Sequence, residues 1–329
     1  MKAAWFEQPG DASDVMIIGD REKPQPNAGE VLVRIYASGV NPSDVKKRGG
    51  LQSTGLDIAG FVIPHSDGAG IIKEVGEGVD ISRVGERVWV YQAQYGRHWG
   101  TASEYICVPE KMAARLPDLV DFSVGACMGI PAMTAHRCVF SDGDVAGKTI
   151  LVTGASGRVG HYAVQWAKLS GATVIGTAGN DHRCRFAKES GADHVFSYQE
   201  ADLVDRIMQA SGGKGVDRIV EVEFGDNIET SIQVLKTSGT IATYSSSHDP
   251  KPVLPFYPMM FNNISVQMVL VYNMSDEAKN HAIEDIYRAL KKKQLTHRIA
   301  RTFPLVDIAD AHQSIESNSA DGCVVVEIK

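Results

Sequence analysis

The stretch TILVTGASGRVGH, residues 149–161, sets an apolar strand, a glycine turn and the start of a helix side by side. Gly154 permits the sharp turn out of the strand, Gly157 lets backbone N–H groups approach a phosphate, and Gly160 lets the helix pack closely on the strand. The unpaired N–H groups and positive dipole end of that helix then face an anion, so the stretch reads as a seat for a dinucleotide pyrophosphate. Glycine spacing alone carries little weight in a chain with 32 glycines, and the flanking sequence supplies the rest. AVQWAKL (163–169) continues as an amphipathic helix, Gly171 stops it, and ATVIGTA (172–178) is a second apolar strand. Together they make a βαβ unit of about 30 residues.

Outward from this unit the texture divides the chain. Strands are expected near 149–154, 173–178, 194–198, 216–223, 239–246 and 264–272, alternating with helices, which describes an α/β fold with a doubly wound parallel sheet. Before Asp121 come short β-branched runs between Gly and Pro turns: VLVRIY (31–36), GIIKEV (70–75), RVWVY (87–91) and SEYICV (103–108). SDEAKNHAIEDIYRAL (275–290) opens with a serine cap and acidic residues and reads as a long helix, closed by Lys291, Lys292 and Lys293. Strand texture returns at HRIARTF (297–303) and CVVVEI (323–328), predicting that the tail folds back onto the N-terminal strands. The nucleotide domain, 123–273, is then an insertion in a strand-rich domain made of 1–122 and 274–329, with the active site expected in the cleft between them.

Composition excludes several function classes. No apolar stretch of the 329 residues approaches the ~20 needed to cross a bilayer, and Pro9 and Gly10 interrupt the N-terminus before a signal-like core forms. The five cysteines, Cys107, Cys127, Cys138, Cys184 and Cys323, are odd in number with no close pair, so reduced thiols and a cytoplasmic location are expected. A net charge of −7 disfavours a general nucleic-acid partner.

ASGVNPSD (37–44), PHSDGAG (64–70), VGEGV (75–79), VGERV (84–88), GIPAMTA (129–135) and the glycine stretch resemble, in order and spacing, the medium-chain dehydrogenase/reductase superfamily. Within it they are similar to the zinc-free quinone oxidoreductases related to zeta-crystallin. The resemblance implies a Rossmann sheet inserted in a GroES-like catalytic domain. The superfamily's alcohol dehydrogenases hold a catalytic zinc with Cys, His and Cys; Asn41, Ser66 and Ile130 stand at those places here. An amide, a hydroxyl and an aliphatic chain do not make the nitrogen and sulfur coordination zinc prefers, and the four clustered cysteines of a structural zinc lobe are missing. His65 reads either as a displaced ligand or as a turn residue after Pro64; no partner stands at ligand spacing, which supports the turn.

Cofactor choice is read at the end of the second strand, where a carboxylate would bind a ribose 2′-OH and repel a 2′-phosphate. The strand ends in Gly179 without an acid, followed by Arg183 and Arg185; Asp181 is the discordant charge, assigned to capping the next helix. In the resembling reductases a basic residue at the place of Arg183 and a tyrosine at that of Tyr198 embrace the 2′-phosphate, which implies NADPH. The resemblance also places Gly154, Ser156, Gly157, Arg158 and Val159 on the pyrophosphate, and Thr134, Tyr244, Ser245, Met268, Val269 and Leu270 at the nicotinamide end.

For catalysis the resemblance points to Asn41 and Lys46. Asn41 is read either as an amide donor to a substrate oxygen or cofactor ribose, or as a turn residue before Pro42. Lys46 stands where several relatives carry tyrosine, and is read either as a proton donor or as a solvated residue. Trp89, Tyr91, Tyr95 and Trp99 offer a stacking surface or, for Trp89 at least, core packing. The implied activity is hydride transfer from NADPH to a small-molecule quinone or α,β-unsaturated carbonyl. The alternatives are a 2-alkenal or enoyl-thioester reductase, and a non-catalytic NADPH-binding protein. ISVQMVLV (264–271) reads as an apolar edge strand that pairs with its copy in a homodimer, with Val269 as a strand donor across the interface.

Overall fold

The computed structural model describes residues 1–50 and 60–329. The chain first lays down β1 (Lys2–Trp5), β2 (Ile17–Asp20), β3 (Glu30–Val40), β4 (Asp67–Val75), β5 (Arg87–Val90), β6 (Tyr105–Pro109) and β7 (Ala113–Arg115). Six strands follow: β8 (Thr149–Val152), β9 (Thr173–Ala178), β10 (His194–Ser197), β11 (Val216–Glu221), β12 (Leu235–Thr243) and β13 (Ser265–Met268). The tail adds β14 (Ile299–Pro304) and β15 (Cys323–Glu327).

Residues 1–130, 283–293 and 297–329 form one compact unit, and 131–282 with 294–296 form the other. The sequence-based borders at 122/123 and 273/274 fall earlier. Phe122 stays with the first unit because its ring stacks on Tyr36 at 4.9 Å, with the Arg87 guanidinium 4.0 Å from its centroid.

In the first unit β3 pairs antiparallel with β4 along one edge, and with β15 and β6 along the other. Its Val31, Val33 and Ile35 enter a core shared with Ile72, Val88, Val90 and Ile106, to which the tail contributes Val324, Val326, Ile308 and Ile315. Burying each such side chain is worth about 1.5–3 kcal/mol, which is why a tail far away in sequence returns to these strands. Trp89 is fully buried, and Tyr91 is buried with its hydroxyl donating to the Lys111 carbonyl at 2.7 Å. These two rings are core, not a stacking platform.

The second unit is a parallel six-stranded sheet in the order β10-β9-β8-β11-β12-β13. The strand order reverses between β8 and β11, and the carboxyl side of such a switch point is where ligands bind in doubly wound sheets. β8 and β9 are buried and largely apolar, as helix-covered parallel strands are, while β11 carries Asp217, Arg218 and Glu221 among its apolar residues. β13 is shorter than the apolar run 264–272 predicts, because Val271–Asn273 turn into a single 3₁₀ turn. The long helix spans Asp276–Lys291, with the Ser275 hydroxyl accepting from the Ala278 N–H at 3.2 Å. No helix among the described residues is long and apolar enough to cross a membrane.

Candidate cofactor and active site

In the second unit the glycine turn follows β8 at the switch point. Gly154 has φ +59°, a left-handed conformation that glycine adopts without strain. A Cβ on Gly160 would lie 2.2 Å from the Gly154 carbonyl oxygen, so this position must stay bare for the helix Arg158–Leu169 to approach the strand. That helix starts at Gly157 with no side-chain cap, and Ser156, Arg158 and Val159 are half-buried around an exposed Gly157. Such a turn leaves helix-end N–H groups for an anion, and it fits a dinucleotide pyrophosphate.

Beside it, β9 runs out at Ala178 and Gly179. The Tyr198 hydroxyl lies 3.1 Å from where a Gly179 Cβ would stand, so glycine makes room for the phenol. Arg183 is half-buried in the first turn of the helix Asp181–Glu189. The cap of that helix is Asn180, whose side-chain oxygen accepts from the Arg183 N–H at 2.9 Å; Asp181, expected to cap it, lies one residue inside. Arg185 points away toward the His182 ring, at 3.4 Å.

Tyr244, Ser245, Met268, Val269 and Leu270 converge on one cavity of about 360 Å³, completed by Phe224, Thr243, Ser246, Pro250 and Pro252. Thr134 does not line it: it is buried in the first turn of the helix Thr134–Phe140. Burial holds the Tyr244 phenol well above its ordinary range.

Sequence reading missed Glu221, at the carboxyl end of β11. Its buried Oε1 accepts from the Thr153 hydroxyl (2.9 Å), the Glu223 N–H (2.6 Å) and the Asn227 amide (2.8 Å). Burial raises its pKa, and the residue ties the strand before the glycine turn to the loop that presents Phe224. An acid following Ile219 and Val220 at the end of the strand Val216–Glu221 was the available signal.

In the first unit Asn41 follows β3 and caps the helix Pro42–Arg48. Its N–H donates to Asp44 Oδ2 at 2.8 Å, and its amide Nδ2 donates to Asp67 Oδ2 at 2.9 Å. The same Asp67 oxygen accepts from the Ile130 N–H at 2.8 Å. Asp67 thus knots together two of the three places where the superfamily's metal enzymes carry ligands. The amide at 41 and the N–H at 130 are committed to it, and with a hydroxyl at 66 the residues present do not fit a zinc ion. Burial pushes the Asp67 carboxyl well above the carboxylate range and Asp44 up to about 7.

Lys46 is exposed on the helix, in keeping with the second of its two readings, a solvated residue. The desolvated ammonium is that of Lys47: its Nζ is buried and without a hydrogen-bond partner among the described residues, and burial lowers its pKa.

His65 is fully buried, with φ +76°, so it is a turn residue but not a solvated one. It belongs to a one-way hydrogen-bond chain. Arg48 Nε can only donate, and does so to His312 Nδ1 at 3.3 Å, so the His312 proton sits on Nε2 and is donated to His65 Nε2 at 2.9 Å. The His65 proton then sits on Nδ1 and goes to Ser38 Oγ at 2.8 Å; Ser38 donates to Thr101 Oγ1 at 2.7 Å, and Thr101 to the Asp67 carbonyl at 2.6 Å.

The alcohol dehydrogenase GroES-like domain family matches residues 27–118, and the zinc-binding dehydrogenase family matches 159–288. Over 312 residues the chain is 30% identical to the quinone oxidoreductase of Rattus norvegicus, covering 93% of this chain and 89% of the rat protein. It superposes with a TM-score of 0.90 on an NAD-dependent alcohol dehydrogenase, 27% identical and covered over 100% of each chain. The Escherichia coli quinone oxidoreductase solved with NADPH gives a TM-score of 0.86 at 25% identity, again over 100% of each chain. Fold, glycine turn and full-length similarity agree, and the chain belongs to the quinone oxidoreductase family of the medium-chain dehydrogenase/reductase superfamily.

Proposed function

We propose that this protein is an NADPH-dependent reductase of quinones or related α,β-unsaturated carbonyls that works without a catalytic metal. The observation that carries the reading is the Asp67 knot: the Asn41 amide and the Ile130 N–H at the zinc-ligand places are held by a carboxyl group. When bound, the reduced nicotinamide supplies the hydride, and an acceptor whose product is a stabilised enolate or hydroquinone needs less Lewis-acid help than a simple ketone. Gly154, Ser156, Gly157, Arg158 and Val159 would hold the pyrophosphate, and Arg183 with Tyr198 the 2′-phosphate. The cavity lined by Phe224, Tyr244, Ser245, Met268, Val269 and Leu270 would keep water from the nicotinamide. By family resemblance Asn41 serves the acceptor oxygen or the cofactor ribose.

Five cysteines, an odd number with four of them buried, suit a reducing compartment such as the cytoplasm. The apolar edge of β13 supports a homodimer. Steady-state NADPH oxidation against quinones, alkenals and enoyl thioesters, with and without a chelator, tests the function. The expected result is chelator-insensitive turnover fastest with quinones or enones. One tightly bound zinc per chain, or turnover only with simple alcohols and ketones, sinks it.

A further inference from the structure

We infer that Asp67 is a positioning residue that sets the direction of the Asn41 amide and fixes the start of the π-helix Met128–Met133, doing by hydrogen bonds what a metal does for its ligands. The inference rests on the proposed role of Asn41 and deepens it. Three observations carry it. One Asp67 oxygen, Oδ2, takes both donors, Asn41 Nδ2 at 2.9 Å and Ile130 N at 2.8 Å, so a single atom relates the end of β3 to residue 130. The other oxygen, Oδ1, is buried without a hydrogen-bond partner among the described residues and lies 2.0 Å from where a Gly129 Cβ would stand, so the Gly129 backbone closes in on the carboxyl. Behind it, the Thr101 hydroxyl pins the Asp67 carbonyl at 2.6 Å, as the last link of the chain that starts at Arg48.

An amide held by one hydrogen keeps its plane fixed, so its remaining polar atoms point one way. Directional placement of this kind governs how well a donor meets a developing negative charge. Asp67 itself needs no contact with the reacting atoms.

The test compares Asp67→Asn, whose amide oxygen accepts from both donors, with Asp67→Leu, which accepts from neither, alongside Asn41→Ala and the Asn41→Ala/Asp67→Leu double variant. With NADPH and a quinone, Asp67→Leu should lower kcat by roughly tenfold or more with the NADPH KM changed less than about twofold, while Asp67→Asn keeps most of the activity. The double variant should be no worse than the poorer single one, because both remove one function. Losses that multiply in the double variant, or an Asp67→Leu protein with full kcat beside an impaired Asn41→Ala, overturn the inference. Should Asp67→Leu not fold, Asp67→Asn decides, since a large loss in that near-isostere is incompatible with a pure acceptor role. NMR of the Asn41 side-chain amide separates the two readings. If Asn41→Ala is fully active, the role of Asn41 falls, but slow amide-hydrogen exchange that speeds up in Thr101→Val still supports positioning by Asp67. Fast exchange in the unaltered protein overturns it.

Discussion

At Gly160 the room available is smaller than a methyl group. A Cβ there would sit 2.2 Å from the Gly154 carbonyl oxygen, a backbone atom that cannot move without opening the turn. Gly160→Ala should therefore cost about 1–3 kcal/mol of stability and weaken dinucleotide binding, read by urea melts and by fluorescence titration with NADPH. At Arg183 the expected effect is selective. Charge-assisted bonds to phosphate are worth about 1.5–3 kcal/mol, so Arg183→Ala should raise the NADPH dissociation constant roughly ten- to a hundredfold and leave NADH binding nearly unchanged. Equal losses for both cofactors would place the 2′-phosphate elsewhere. Gly160 was legible in sequence because it acts through neighbours in its own βαβ unit. Lys47 was not: one step along a helix turns a side chain by about 100°, and burial falls on Lys47 while Lys46 stays exposed.

The helix Pro42–Arg48 and the helix Ile308–Glu316 bring together groups whose charges oppose one another in acid. His65 and His312 are buried neutral between Arg48 and Ser38, with burial as the main cause; His65 is held well below 6.5 and His312 falls to about 3. The unfolded chain binds more protons at these two sites below pH 6.5, so their contribution to stability is lost as pH falls from there toward 3. Asp44, facing Asn41, Lys47 and Ser66, runs the other way. Its folded value of about 7 lies above 3.8, so its contribution is present in acid and is lost as pH rises through 7. Asp67, raised by burial and by Asp44, has the same sign as Asp44. Two carboxyls against two histidines should flatten the pH dependence of stability between roughly 4 and 6.5. Asp44→Asn keeps an acceptor for the Asn41 N–H and removes one opposing proton. Its stability should therefore fall relative to the unaltered protein by about 1.4 kcal/mol per pH unit on acidification across that window, measured by urea denaturation. Parallel pH profiles for the two proteins would show Asp44 to be ionised in the fold.

Over the whole molecule, the edge strand β13 bears on assembly. Met268 is 70% exposed, and the helix Phe256–Phe261 that leads into the strand shows Phe256, Tyr257 and Phe261 to solvent, with Phe261 75% exposed. Contiguous apolar surface beside an unpaired strand edge is what a self-complementary two-fold interface covers. Val269 is not the donor for that interface: its N–H is spent within the chain on the Thr243 carbonyl at 2.7 Å. Backbone groups alternate along a strand, so the N–H groups aimed at the free edge are those of Met268 and Leu270. Sedimentation over a wide concentration range should give a dimer mass, and Phe261→Glu should shift it toward monomer with NADPH binding retained. A persistent monomer of the unaltered protein would refute the shared edge.

The glycine turn, the strand–helix alternation, the inserted sheet and the apolar edge are properties of residues close along the chain, written in periodicity and glycine placement. The sequence by itself therefore determined the fold class and the place of the glycine turn. Tertiary structure alone decided what holds the Asn41 amide and the Ile130 N–H, and how burial shifts the titrating groups. The Asp67 knot joins residues 26 and 63 positions apart, and the histidine contact spans 247, so neither exists until β3, β4 and the returning tail pack. Burial then sets the protonation of Asp44, Asp67, His65 and His312, because desolvation depends on every element covering a group and on no single stretch of sequence.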